Sequence, residues 1–327
     1  MAEKRDIIAV GNRSCNVGAR LENLAYRRKG KLRLGTFPAM GDCSNRRFYM
    51  SDLNGKIALV TGAAGEFGLG RAIAVRLAKD GADVVVNDVT EKPYNLDESD
   101  WLGLQDVVSE IESLGKRSYG FVADITNSNE VSAMIEKVVS EFDRIDILVN
   151  NAGSKPGKDR VLAVDLDEKE WDRVIKINAK GTFLTAQAVA RHFIERKIPG
   201  KIINISSVVG KEAMPRYAAY SASKFAIIGL TQALALELAP YQINVNAVCP
   251  SLVDTERVTQ LVDALTESAE QFKDKYVELI QNRSGLVPLG RLATRTDVAN
   301  MVSYLASEQS DFLTGLAIPV AGGSMVH

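Results

Sequence analysis

From Lys56 onward, short runs of β-branched and aliphatic residues alternate with longer segments whose apolar positions recur every three or four residues. The short runs fall at 56–61, 83–88, 118–122, 146–149, 201–205, 243–248 and 316–320. Most are apolar almost throughout, and that predicts parallel strands with both faces covered. Between them, Arg71–Asp80, Asn129–Phe142, Glu168–Arg196 and Ser221–Leu238 show helical periodicity and are long enough to cross from one parallel strand to the next. The pattern predicts an α/β fold in residues 50–327: one doubly wound domain, a seven-stranded parallel sheet with helices on both faces.

Residues 1–49 break this pattern. They lack sustained periodicity and hold eleven Lys/Arg against four Asp/Glu, leaving 29 basic and 37 acidic residues for the rest of a chain whose formal net charge is -1. Such a stretch packs poorly and is expected to be a disordered basic extension. Glu3 and Asp6 stand where a transit peptide avoids acids. Met50-Ser51-Asp52-Leu53-Asn54-Gly55-Lys56 reads as a natural protein start, so a mis-assigned upstream extension is a competing explanation.

Composition narrows the chemistry. With 327 residues, 46% hydrophobic and 25% charged, the chain is not disordered as a whole. It has no run of about eighteen apolar residues and no secretory signal pattern, so a cytoplasmic protein without a membrane partner is expected. Cys15, Cys43 and Cys249 are too scattered for a disulfide framework or a C-x-x-C metal site, and His192 and His327 are too few for a zinc or His-based triad chemistry. No metal is expected. His192, in a helical pattern, reads as a surface or packing residue.

The first strand runs into Thr61-Gly62-Ala63-Ala64-Gly65-Glu66-Phe67-Gly68-Leu69-Gly70 and then directly into a helix. A glycine cluster alone is often only a tight turn. Placed between the first strand and first helix, Gly62, Gly65, Gly68 and Gly70 let the backbone approach a pyrophosphate, with free N–H groups and the helix dipole to meet its charge. This makes the domain Rossmann-type. Asp88, at the end of the second strand, stands where an acid accepts ribose hydroxyls and repels a 2′-phosphate, and with no Arg near it NAD is expected rather than NADP. The bland alternative for Asp88 is a solvated strand-end carboxylate.

Tyr220 and Lys224 lie four apart at a helix start, hence on one face. The spacing also suits an exposed pair. Chemically, a nearby ammonium favours the phenolate, which can exchange a proton with a substrate oxygen while hydride moves at its carbon. Ser206-Ser207 ends a strand shortly before Tyr220, and the thirteen-residue spacing favours Ser207 over Ser206 as the hydroxyl that faces the phenol.

Together these residues resemble the short-chain dehydrogenase/reductase family over essentially all of 54–324. The resemblance makes Thr61-Gly62 through Gly70 its cofactor loop, Asp124 (with Ile125) its adenine contact, and Asn150-Asn151-Ala152-Gly153 its strand-four motif. It makes Asn178, Ser207, Tyr220 and Lys224 its catalytic tetrad, and adds Pro250, Val253 and Thr255 to the cofactor-binding set. It implies Tyr220 as acid/base, Lys224 as the group that favours the phenolate and holds the nicotinamide ribose, Ser207 as the carbonyl-orienting hydroxyl, and Asn178 in a water-linked proton relay. Backbone hydrogen bonding alone is the competing role for Asn178. A small alcohol or carbonyl substrate and a homotetramer built by helix packing are also implied; a nucleic-acid partner is not expected.

The chain departs from the family in places. Five residues separate Gly62 from Gly68 where three are usual, so the loop should bulge near Glu66 and Phe67; Ser251 and Ala321 stand where glycine and an acid are common. An insertion near Thr90–Leu104, with Pro93, Tyr94 and Trp101, either covers the adenosine end or is a surface loop. Residues 251–287 resemble the family's mobile substrate lid, and no charged substrate anchor stands out. The expected activity is NAD(H)-dependent interconversion of a secondary alcohol and a ketone. Its rivals are an NADPH-dependent 3-oxoacyl acyl-carrier-protein reductase and a non-catalytic nucleotide-sensing protein.

Overall fold

The computed structural model describes residues 25–28, 31–34, 52–92, 100–255, 258, 262 and 269–327. The chain divides into two units, Met1–Phe48 and Tyr49–His327. In the first, β1 (Ala25–Arg28) and β2 (Lys31–Leu34) pair antiparallel. The rest of the extension, and with it most of the expectation of disorder, lies outside the described residues.

The second unit begins with β3 (Ile57–Thr61), α1 (Leu69–Lys79), β4 (Asp83–Asp88), α2 (Leu104–Ser113), β5 (Ser118–Val122), α3 (Ser128–Phe142) and β6 (Ile147–Asn150). It continues through α4 (Glu168–Ile175), a π-helical turn (Lys176–Lys180), α5 (Gly181–Arg196), β7 (Gly200–Ile205), α6 (Ala218–Leu238) and β8 (Ile243–Pro250). It closes with α7 (Ala269–Gly285), α8 (Arg295–Ala306) and β9 (Ala317–Val320). The seven strands form one sheet, all neighbours parallel, in the order β5-β4-β3-β6-β7-β8-β9.

The register follows from two-sided burial. Every residue of β3 and β6 is buried, and alternate side chains feed opposite faces. Ala58, Val60, Val84 and Val86 pack with Ile73 and Leu77 of α1, Val107 and Ile111 of α2, and Val298 and Val302 of α8. Leu59, Val85, Leu148 and Ile202 face the other way, onto Val131 and Met134 of α3, Val189 and Phe193 of α5, and Ala235 and Leu238 of α6. His192 belongs to this second layer: it is buried and its Nε2 accepts the Ile145 N–H at 3.2 Å. Burial, reinforced by Arg196, pushes its pKa below the usual imidazole value.

The chain runs outward from β3 to β5, then returns to β6 on the other side of β3. The loops after β3 and β6 therefore diverge, opening a crevice at the carboxyl ends of the strands.

Candidate functional site

A cavity of about 1020 Å³ occupies this crevice. At one end is the loop after β3. Gly62 has φ +67, and a Cβ there would lie 2.6 Å from the Ala152 Cα; only glycine brings these two loops so close. Glu66 and Phe67 form a turn closed by the Gly68 N–H on the Gly65 carbonyl at 3.1 Å. Helix α1 starts at Leu69 with no side-chain cap, which leaves its first N–H groups to a ligand.

Asp88 ends β4 on the cavity wall. Its Oδ2 accepts the Ala64 N–H at 3.0 Å and its Oδ1 the Val89 N–H at 2.8 Å. Burial pushes its pKa above the usual carboxylate value, against the lowering effect of those two N–H donors. A carboxylate so poor in water is matched by a diol that donates to its remaining lone pairs. The glycine cradle, the uncapped helix start and this acid fit a dinucleotide.

The 90–104 insertion reaches this loop through Trp101, whose Nε1 donates to the Ala64 carbonyl at 2.8 Å. Arg71 lies 4.7 Å over the Trp101 ring and pairs with Glu110. The two peptide groups flanking the Ala64 Cα are thus held, one by Asp88 and the other by Trp101. Residues 93–99, including Pro93 and Tyr94, lie outside the described residues.

The loop after β6 links the two ends. Asn151 Nδ2 donates to the Thr61 and Gly62 carbonyls at 3.0 and 2.8 Å, and Asn150 Nδ2 donates to Asn204 Oδ1 at 2.9 Å. Asp124 accepts the Thr126 N–H at 2.8 Å.

At the other end stands α6. Its buried positions Tyr220, Ser223, Lys224, Ile227, Thr231, Ala235 and Leu238 recur every three or four residues, so the stripe that anchors the helix also carries Tyr220 and Lys224 into the crevice. Lys224 Nζ donates to the Ile205 carbonyl at 2.8 Å and lies 5.6 Å from the Tyr220 ring centre. Ser206 Oγ donates to the Lys224 carbonyl at 2.9 Å. Ser207 Oγ instead accepts the Val209 N–H at 3.2 Å and caps the 3-10 turn Val208–Gly210.

Asn178 sits in the π-turn, fully buried. Its Oδ1 accepts the Ser154 N–H at 2.7 Å, and its Nδ2 donates to Ser223 Oγ at 2.9 Å. Every predicted site residue except Gly70 and Asn178 lines the cavity. Gly70 is packed in the first turn of α1, where a Cβ would lie 2.6 Å from Asn151 Nδ2. Asn178 stands behind the wall, joined to the loop after β6 and to α6. Sequence reasoning missed Arg160 and Tyr217, which also line the cavity; both come from loops, where no periodicity marks a side chain as inward-facing.

The family model described as short chain dehydrogenase matches residues 56–266. The chain belongs to the short-chain dehydrogenase family. It is 39% identical over 277 residues to the cyclohexanol dehydrogenase of Rhodococcus sp. strain TK6, covering 83% of this chain and 96% of that protein. It is 40% identical over 268 residues to a 3-oxoacyl-(acyl-carrier-protein) reductase of Staphylococcus aureus strain Mu50, with 82% and 97% covered. Among solved structures, NAD+-bound xylitol dehydrogenase superposes with a TM-score of 0.72 at 32% identity, over 83% of this chain and 99% of that one. This short-chain dehydrogenase is therefore an oxidoreductase that acts on CH–OH groups and binds a nicotinamide cofactor.

Proposed function

We propose that the chain interconverts a secondary alcohol and a ketone with NAD(H), Tyr220 acting as acid/base. The observation that carries this reading is the placement of Tyr220, Lys224 and Ser207 in one cavity with the glycine loop and Asp88. The nicotinamide ring, when bound, accepts or supplies the hydride. Gly62, Gly65, Gly68 and the α1 start would hold the pyrophosphate, and Asp88 the adenosine ribose, with Asp124 and Ile125 beside the adenine. Asn151, Ala152, Gly153, Pro250, Val253 and Thr255 would wall the cofactor further along. Tyr220 takes the alcohol proton as phenolate, which the Lys224 ammonium stabilises. Ser207 donates to the substrate oxygen as charge develops on it. Asn178, held behind the wall by the Ser154 N–H and the Ser223 hydroxyl, supports a water-linked proton relay.

NAD is favoured over NADP because a 2′-phosphate would meet the Asp88 carboxylate. Exposed Phe183 on α5 and Phe225 and Leu236 on α6 support a homo-oligomer built on these helices. The reading carries with it a cytoplasmic setting and no nucleic-acid or membrane partner; the basic 1–49 segment is an extension outside the catalytic domain. A second reading, NADPH-dependent reduction of 3-oxoacyl thioesters, is favoured by the similarity to the Staphylococcus aureus reductase and opposed by Asp88.

The test is nicotinamide absorbance over a panel containing cyclohexanol, xylitol, hydroxy acids and a 3-oxoacyl thioester, with NAD(H) and NADP(H) in parallel. Turnover of a secondary alcohol with NAD, reduced by about 10²–10⁴-fold in Tyr220→Phe while NADH still binds, is expected. Turnover confined to NADPH and the thioester would replace this reading with the second one.

A further inference from the structure

Between Gly153 and α4 the cavity wall holds an ion pair that the dehydrogenase reading leaves without a role. Asp159 is fully buried and the Arg160 side chain is only 7% exposed. The two are hydrogen-bonded to each other. Asp159 Oδ1 also accepts the Gly157 N–H at 3.1 Å and faces Arg173 Nη2 at 3.4 Å, and Arg173 in turn pairs with Glu170 at 2.8 Å. Desolvating two charges is expensive, and a buried pair is commonly no more stable than apolar residues of the same volume. Stability is a weak reason for such a pair at the edge of a reaction cavity.

What sets the pair apart is where its positive end points. The Arg160 guanidinium carbon lies 4.7 Å from the Tyr220 ring centre and 4.3 Å from that of Tyr217. The two rings meet edge to face, 6.2 Å apart. Asp159 and Glu170 offset the summed charge of Arg160 and Arg173, so the cluster acts as a fixed dipole with its cation against the phenol.

We propose that Arg160 is a positioning residue for Tyr220: held by Asp159, it packs on the ring and favours the phenolate together with Lys224. A cation over a neutral ring gains from the quadrupole, and gains more when the ring carries charge. The planar guanidinium suits this better than an ammonium, because it can stack and keep its bond to the carboxylate together. The inference rests on the reading of Tyr220 as acid/base.

Other charged or titratable groups around this face are Lys224 on α6, Tyr217 just before it, Arg173 on α4, Lys176 in the π-turn, Lys155 in the same loop as Arg160, and Glu212 after the 3-10 turn. Glu212 is exposed, and solvent screens its opposing effect.

The experiment is a pH titration of tyrosinate ultraviolet absorbance, taken as the difference between each protein and its Tyr220→Phe counterpart, which isolates one of nine tyrosines without needing a substrate. The parent should show a Tyr220 step below the ordinary phenol range. In Arg160→Met that step should move to higher pH by about one unit, roughly a tenfold change in proton affinity, with NADH binding retained as the check on folding. Arg160→Lys, which keeps a charge, should recover at least half of the shift. Should Arg160→Met not fold, Arg160→Gln, which keeps a bond to Asp159, serves the same comparison. A step that stays put in the charge-free variant, or a parent without a lowered step, overturns the proposal. Failure of the underlying reading shows separately, as turnover that survives in Tyr220→Phe.

Discussion

The two ends of the cavity are built from different materials. The adenosine end is made of backbone: glycines that bring loops within contact, peptide groups gripped by Asp88, Trp101 and Asn151, and a helix start left uncapped. The alcohol end is made of side chains on rigid elements: Tyr220 and Lys224 on the buried stripe of α6, Ser207 after β7, and Asn178 in a web with Ser154 and Ser223. Shape is therefore the fragile property at the first end, and functional-group chemistry at the second. A pyrophosphate is recognised by backbone donors at a close approach that glycine permits, whereas proton transfer needs groups of particular acidity held at a point.

Three substitutions probe that contrast, beginning with the largest effect. Gly62→Ala adds a single methyl at φ +67 against the Ala152 Cα. It should lower stability by about 2 kcal/mol and abolish tight NADH binding, measured by thermal unfolding and NADH fluorescence. Tyr220→Phe, by contrast, should cut turnover by about 10²–10⁴-fold and leave both readouts in place. If Gly62→Ala binds NADH normally, close approach does not govern this end.

Asp88→Ser comes next. It removes a carboxylate that would repel a 2′-phosphate, and the preference for NAD over NADP should fall about tenfold, corresponding to about 1.4 kcal/mol. Parallel titrations with NADH and NADPH would show it, and an unchanged ratio would mean that Asp88 does not discriminate between them.

The smallest effect belongs to a place far from both ends. Helix α8 opens with a capping box in which Thr294 Oγ1 accepts the Asp297 N–H at 3.1 Å and Asp297 Oδ2 accepts the Thr294 N–H at 2.7 Å. The Arg291 guanidinium beside Asp297 holds its carboxyl well below the usual carboxylate range. That lowered value means the pair stabilises the fold above the unfolded carboxylate value near pH 4, and that the contribution fades as pH falls through the folded value. Both side chains are part exposed, so screening keeps the effect small. Asp297→Asn should cost about 1 kcal/mol or less near neutral pH, and the gap to the parent should close in acid. Urea unfolding at both pH values checks the sign, and cofactor affinity should not move.

Much of this was legible in the chain. Strands buried on both faces carry almost uninterrupted apolar runs, so β3, β4 and β6 begin and end within a residue of the predicted spans. Tyr220, Lys224 and the glycine loop were legible because their chemistry is tied to fixed spacings on single elements. Helix α2 was not singled out, since it starts abruptly after Gly103, at φ +74, with no side-chain cap to announce it. Spacing alone favours Ser207 over Ser206: both hydroxyls are hydrogen-bonded, Ser206 to the Lys224 carbonyl and Ser207 to the Val209 N–H, and both residues line the cavity. The Arg160 contact was illegible for a related reason: nothing local makes a loop arginine face a tyrosine sixty residues later.

The π-turn at Lys176–Lys180 has a geometric consequence of its own. One extra residue in a turn rotates everything beyond it by about 100° relative to a continuous α-helix. The segment Glu168–Arg196 thus behaves as a shaft with a keyed joint. Ahead of the joint, α4 turns Val174 inward toward the Tyr220 cluster; beyond it, α5 turns Ala186, Val189 and Phe193 onto the sheet. Asn178 is the key. Deleting one residue from that turn would restore a regular helix and swing one of the two faces out of phase, so insertions and deletions here should be tolerated far less than in the loops at either end of the shaft.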